Sequence, residues 1–342
     1  FIPSLDHISG LLDLPSNVAG ASLMAMGSSA PELAIALTAL FHGNGEHSDV
    51  GIGTIVGSAV FNILVITGAS ALARPAKVTL SVVMRDCLIY VLSIVLLLFT
   101  FSDGLIQLTE ASFFLLLYVC YLFILFQWNS WFPEAIKEES GKSVESDPQG
   151  IPTEKKETSG SLSLLEMMAQ YTVKGLGFFA GDVNKSYLRV FVVSIAVTIA
   201  LSWVLVKSVI VFGDATAIPP VIVALTLLAA GTSAPDMISS VVVARQGRGD
   251  MAVANAVGSN IFDILIGLGL PWLIVIGIGL LTGGQTFVEV GTADLLSSTL
   301  VLLGTVFILF IFLYTERTLS RIEGGILILL YVVYVLWIWL GG

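Results

Sequence analysis

Apolar residues gather along this chain into nine runs, at roughly 17–41, 49–73, 79–100, 107–128, 187–211, 218–244, 250–280, 293–315 and 324–341. Each is close to the twenty or so residues that a helix needs to cross ~30 Å of hydrocarbon. None alternates polar and apolar positions as a barrel strand does. In a bilayer, backbone polar groups must be paired within the segment or in a closed barrel, so the pattern predicts membrane-spanning helices. The expected fold class is all-α and polytopic. One long polar interruption, 129–186, is rich in charge, Ser, Gly and Pro and is expected to be partly disordered. Only Leu162 to Phe179 within it is apolar enough for a short interfacial helix. The organisation predicted is an N-terminal transmembrane unit at 1–128, the polar loop at 129–186 and a C-terminal transmembrane unit at 187–342.

Composition removes the soluble alternative. The chain is 56% hydrophobic and only 12% charged, with a mean hydropathy of +0.95, whereas a soluble domain carries about 25% charged residues. Of the fifteen Lys and Arg, fourteen fall in alternate loops: Arg74, Lys77 and Arg85; the seven from Lys137 to Arg189; Arg245 and Arg248; Arg317 and Arg321. The intervening loops at 42–48, 101–106, 212–217 and 281–292 contain none, and Lys207 alone is out of place. By the positive-inside rule the basic loops, including 129–186, are cytoplasmic and the C-terminus lies on the other face of a plasma or organellar membrane. Residues 1–16 carry no basic n-region, so no signal peptide is expected there. Cys87 and Cys120 lie inside spans and read as small apolar residues.

Two copies of one pattern occupy the spans. Gly27 to Glu32 reads G-S-S-A-P-E and Gly57 to Asn62 reads G-S-A-V-F-N; Gly231 to Asp236 reads G-T-S-A-P-D and Gly258 to Asp263 reads G-S-N-I-F-D. The first motif regions cover 20–73 and the second 218–275, with the hairpins starting at the first and sixth runs. Five spans between them force the second copy to enter from the opposite side, which predicts two inverted repeats meeting at the midplane. Pro31 and Pro235 should break their helices there, since proline removes a donor and clashes one turn back.

Glu32, Asp236 and Asp263 lie in apolar runs, where a carboxylate costs about 2.5–3.5 kcal/mol on insertion scales. No Lys or Arg occupies the matching segments, which leaves protons or bound cations to neutralise them. The same motifs supply Ser28, Ser29, Ser58, Asn62, Thr232, Ser233 and Ser259, all neutral oxygen donors without Cys or His. Carboxylate, hydroxyl, amide and carbonyl oxygens suit hard cations such as Ca2+, whereas softer metals favour thiolate or imidazole. A single intramembrane Ser usually bonds the carbonyl a turn back and a single Gly usually aids packing; three acids within duplicated motifs favour a metal-ion site instead. Asp86, Asp103, Glu110 and Asp294 sit at span ends and are expected to be solvated or interfacial. The six Trp and eight Tyr are expected mostly as interface anchors. His42 and His47, with Glu46 and Asp49, could recruit a cation in an outer loop, although such loops are more often merely wet.

These motifs resemble the Na+/Ca2+ exchanger superfamily, and most closely its K+-dependent branch, through G-S-S-A-P-E-L, G-T-S-A-P-D, V-A-R-Q-G-R-G-D-M-A-V-A-N and G-S-N-I-F-D-I-L-I-G-L-G-L-P-W. The resemblance implies a secondary antiporter exchanging Ca2+ for Na+, with no catalytic residue, no enzyme activity and no cofactor. Its partners would be inorganic cations and lipid rather than nucleic acid. It implies Glu32 and Asp236 as central Ca2+ ligands, with Ser28, Ser29, Ser58, Asn62, Thr232, Ser233 and Ser259 completing overlapping Na+ and Ca2+ positions. Asp263 matches the acid of the K+-dependent branch, which implies K+ co-transport. The family has ten spans in two five-helix repeats, and F-I-P-S-L-D at the start looks like the tail of the first, so most of that helix is expected to be missing. A Ca2+/H+ exchanger is the nearest alternative, since protons also clear carboxylates. A membrane aspartyl protease using Asp236 and Asp263 fits the motif contexts poorly.

Overall fold

A computed structural model describes residues 25–42, 47–77, 80–131, 183–245, 247, 249–316 and 318–340. The expectations for the 129–186 loop, apart from its two ends, and for the first residues of the chain lie outside these. The first hairpin comprises α1 (Ala25–Ser28), α2 (Ala30–Phe41), α3 (Ser48–Phe61), a π-helical segment π1 (Asn62–Ile66) and α4 (Thr67–Ala73). After strand β1 (Ala76–Lys77) come α5 (Leu80–Thr100), strand β2 (Leu105–Gln107), α6 (Leu108–Trp131) and α7 (Val183–Thr216). The second hairpin runs through α8 (Pro220–Val223), π2 (Ala224–Leu228), α9 (Ala229–Thr232), α10 (Ala234–Arg245), α11 (Gly249–Phe262), π3 (Asp263–Leu268) and α12 (Gly269–Thr282). Strand β3 (Phe287–Glu289), α13 (Thr292–Glu316), β4 (Thr318–Leu319) and α14 (Arg321–Trp339) follow.

Among the described residues, seven continuous helical stretches are long and apolar enough to cross a membrane, and an eighth, Pro220–Thr232 with Ala234–Arg245, is bent by 44° at its break. Eight of the nine expected spans are therefore present; of the ninth, 17–41, the described part is α1 and α2, the latter too short to cross alone. The Ser48–Ala73 stretch is the centre of the molecule, 94% buried, while the α7 and α14 spans are 22% buried and peripheral. Glycine makes that central position possible at Gly57, where a Cβ would strike the backbone of Leu225 in π2. The main core also takes in Trp272, Tyr90, Tyr121 and Phe262, each at most 1% exposed. Trp272, Tyr90 and Tyr121 are thus core residues rather than interface anchors, whereas Trp131, Trp203 and Tyr314 are exposed. The rings of Phe114 and Trp272 meet edge-on at 5.3 Å, giving α6 and α12 a firm contact.

Two antiparallel strand pairs join loops from the two halves of the chain: β1 with β4, placing Lys77 opposite Thr318, and β2 with β3, placing Ile106 opposite Val288. The first pair unites loops that carry basic residues, and Arg74 joins the same group by donating to the Arg245 carbonyl at 3.4 Å. The second unites loops without Lys or Arg, as do the bonds from Ser48 Oγ to the Glu289 carbonyl and from Gly291 N–H to Asp49. Loops separated by the alternating charge pattern are thus gathered at separate ends.

Arg85 and Asp86 depart from expectation. Both lie inside α5, joined by Nε–Oδ1 and Nη2–Oδ2 contacts of 2.8 and 3.1 Å. Asp86 is 5% exposed and also accepts from the Tyr121 hydroxyl, while Arg85 stacks 5.1 Å over the Trp128 ring. Adjacent opposite charges neutralise each other locally, so neither needs solvent.

Candidate cation site

Both hairpins bend at a serine. Ser29 (φ −90°, ψ 7°) separates α1 from α2, and Ser233 (φ −83°, ψ −2°) separates α9 from α10. Each break precedes Pro31 or Pro235 by two residues rather than falling at the proline itself. The missing proline N–H leaves the carbonyl four residues earlier, at Gly27 or Gly231, without its usual helical donor. Glu32 and Asp236 then lie in the first turns of α2 and α10, where the helix dipole favours a negative charge. The other half of each pattern carries a π-helical segment that opens at Asn62 in one hairpin and at Asp263 in the other. Such widened turns recur at functional positions.

The segments interlock: α2 and α3 both pack on π3, and α11 packs on π1. This brings the three acids within electrostatic reach of one another, with Thr232 beside Glu32 and Ser29 beside Asp263. Glu32 and Asp263 are 3% and 1% exposed. Asp236 is only half-buried, because the α10 face bearing Ile238 and Val242 has no covering helix among the described residues, whereas α7 covers α2. No three His, Cys, Asp or Glu side chains among the described residues are close enough to hold one metal ion together. An ion bound here therefore takes much of its coordination from neutral oxygens.

The hydroxyls divide into two groups. Those of Ser28, Ser58, Thr232 and Ser259 donate to carbonyls of their own helices, at 3.3, 2.9, 3.1 and 3.0 Å. This is the ordinary behaviour of intramembrane Ser and Thr, and it leaves oxygen lone pairs available to a cation. Ser29 and Ser233, by contrast, are 1% exposed and make no well-formed hydrogen bond. The described contacts tie Asn62 to Ser259 directly; Ser28, Ser58 and Ser233 are placed on the same segments without a recorded contact to the carboxylates.

Sequence reasoning missed Asn260. Its Oδ1 accepts from Asn62 Nδ2 at 2.8 Å, and its own amide donates to the Ala59 carbonyl at 3.2 Å and the Tyr90 hydroxyl at 2.9 Å. The second Asn62 N–H points at Ser259 Oγ, 3.4 Å away. Both Asn62 donors are thus engaged, and its Oδ1 is left buried and unpartnered. The available signal was the mismatch between copies, Asn260 in G-S-N against Ala59 in G-S-A.

The family profile for sodium/calcium exchanger protein fits residues 1–127 and 186–340. The chain belongs to the sodium/calcium exchanger family. It is similar to human sodium/potassium/calcium exchanger 5, at 33% identity over 337 positions covering 80% of this chain and 66% of the relative. It is also similar to mouse sodium/potassium/calcium exchanger 4, at 27% identity over 487 positions covering 98% of this chain and 77% of that one. The chain thus spans about two thirds of the human relative's length. Among solved structures, an H+/Ca2+ exchanger superposes with a TM-score of 0.66 at 15% identity, covering 98% of this chain and 77% of the other. The sodium-calcium exchanger NCX_Mj superposes with a TM-score of 0.54 at 20% identity, covering 98% and 92%. At these identities the two structures establish a shared fold. This exchanger-family chain is an integral, multi-pass membrane protein.

Proposed function

We propose that this family member is a secondary antiporter that exchanges Ca2+ for Na+, with K+ moved alongside Ca2+, at a site formed by Glu32, Asp236 and Asp263 with the motif hydroxyls and Asn62. One observation carries the reading. Ser29 Oγ, Glu32 Oε2, Asn62 Oδ1, Ser233 Oγ and Asp263 Oδ1 are all buried and make no well-formed hydrogen bond, with Ser29 lying beside Asp263. Buried polar atoms are ordinarily paired, and oxygens left without such a bond in two duplicated motifs fit a cation-binding role. Relatives named for sodium, potassium and calcium supply the ion identities. Two hairpins entering from opposite faces, as the duplicated motifs imply, would suit alternating access, with the site exposed to one face at a time.

The test is uptake of radiolabelled Ca2+ into proteoliposomes. Uptake should require an outward Na+ gradient and K+ on the Ca2+ side. Uptake driven by a pH gradient without Na+ would overturn this reading in favour of proton exchange.

Asn260→Ala should weaken apparent Ca2+ affinity without changing assembly. It leaves an Asn62 N–H unpaired, at about 1–3 kcal/mol, and frees the amide to rotate its oxygen away from the ion. The KM for Ca2+ should rise by roughly five- to a hundredfold. An unchanged KM would show that Asn62 is held by other means.

A further inference from the structure

Two buried hydroxyls lie outside the acid cluster and are not used by it. Ser70 on α4 is 0% exposed and Ser240 on α10 is 2% exposed, and neither Oγ makes a well-formed hydrogen bond among the described residues. An intramembrane hydroxyl ordinarily satisfies itself on the carbonyl a turn back, as those of Thr54 and Ser93 do. Ser240 lies one turn beyond Asp236, and Ser70 about two turns beyond Asn62. Both helices run from the candidate site toward the end that carries Arg74 and Arg245.

The faces bearing the two serines are turned toward one another. At about 100° per residue, Gly68, Ala71 and Leu72 share the α4 face that packs on Gly324 of α14, which leaves Thr67, Ser70 and Arg74 on the opposite one. That face looks at the α10–α11 hairpin: α4 packs on α10, and the Arg74 guanidinium donates to the Arg245 carbonyl and lies against Gly247. On α10, Ser240 belongs with Ala244 to the buried face, opposite the exposed Ile238 and Val242.

The second copy of the motifs shows what packing alone requires. Glu32 matches Asp236 and Asn62 matches Asp263, so Ser240 corresponds to Ala36, Thr67 to Leu268 and Ser70 to Pro271. The matching contact, α2 against α12, therefore carries buried apolar groups where α4 against α10 carries three hydroxyls. Helix packing needs no oxygen at these positions, since the matching contact forms without one. A serine hydroxyl offers a lone pair to a cation and a proton to the water that travels with it, which suits an ion that has shed part of its hydration. We propose that the α4–α10 contact is a transit site through which the exchanged cation passes between the motif acids and the basic-loop end, with Thr67, Ser70 and Ser240 as its oxygen contacts. This rests on the cation-exchange reading above. In the arrangement described here, the bond from Arg74 to the Arg245 carbonyl closes the mouth.

The route can be read by thiol labelling of the full chain in proteoliposomes, their orientation reported by an epitope tag within 132–182. With Cys87→Ala and Cys120→Ala as background, Ser70→Cys and Ser240→Cys should each react with the membrane-impermeant reagent 2-(trimethylammonio)ethyl methanethiosulfonate applied from the side of the basic loops. Ala36→Cys and Pro271→Cys should not react from that side. No reaction at either serine position, or equal reaction at Ala36→Cys, overturns the proposal. Labelling reports the route whatever ion drives transport, so proton-driven Ca2+ uptake would overturn the exchange reading and leave this result standing. The hydroxyls are tested by Ser70→Ala combined with Ser240→Ala. Ca2+ turnover should fall about fivefold at unchanged KM, as loss of hydrogen-bond-sized contacts met only in passage would give. Thermal unfolding should not move down, because an unpaired buried hydroxyl contributes nothing to folding. Unchanged turnover, or a rise in KM alone, would remove the hydroxyls from the route.

Discussion

Glu32→Gln should abolish Ca2+ transport while the protein still assembles in the membrane. Glu32 is 3% exposed, packed into a helix start, and one of its oxygens has no partner within the protein. Gln is nearly isosteric and puts no new charge into the interior, so the helices have no reason to separate. The bound cation, however, loses its counter-charge. Removing one partner of a buried charge pair costs about 3–5 kcal/mol, equivalent to roughly a hundred- to a thousandfold or more in affinity. Flux measured at micromolar Ca2+ should fall to background, and thermal unfolding without ions should be no lower than in the unsubstituted protein. Near-normal flux in this variant would remove the central site from the positions assigned to it.

Asp263→Asn should leave Na+-driven Ca2+ exchange in place and remove its dependence on K+. Two cations a few ångströms apart repel strongly where the dielectric is low, so holding a monovalent ion beside Ca2+ requires additional negative charge. Asp263, 1% exposed at the opening of π3 and within reach of both Glu32 and Asp236, is positioned to supply it. Asn keeps an oxygen there and loses the charge, which leaves the matching position Asn62 as its neutral counterpart. The measurement is Ca2+ flux as a function of K+ at fixed Na+ gradient. If the variant still needs K+, Asp263 serves Na+, protons or packing.

The spans were legible because a run of about twenty apolar residues reports directly on a bilayer crossing; α6 begins at Leu108 and α13 at Thr292, each within one residue of the boundary read from the pattern. The motif acids were legible for the opposite reason: carboxylates in such runs are too costly to be incidental. The π-helical segments at Asn62 and Asp263 were not, because a widened turn uses the same residue types as an α-helix and arises from packing between segments distant in the sequence. Asn260 was hidden likewise, since a hub is defined by partners such as Asn62 and Tyr90 that sequence spacing does not bring together. Arg85 was assigned to a loop because a lone basic residue near a span end usually belongs there; its adjacent Asp86 and the Trp128 ring across the helix pair admit it to the span.

The two strand pairs bear on where a chain of this family can grow. Residues 76–77 and 318–319 at one end, and 105–107 and 287–289 at the other, are held in register by partners from the opposite half. Extra residues inserted at those four places would slip a strand against its mate. The alignment with the mouse relative extends over 487 positions, although this chain has 342 residues, so length has been added or lost between them. The family profile bridges 128–185 without matching it, and neither strand pair reaches that stretch. An epitope tag, a fluorescent reporter or a protease site placed between Trp131 and Val183 should leave the clasped loops undisturbed, whereas the same insertion beside Lys77 or Ile106 would pull the halves out of alignment.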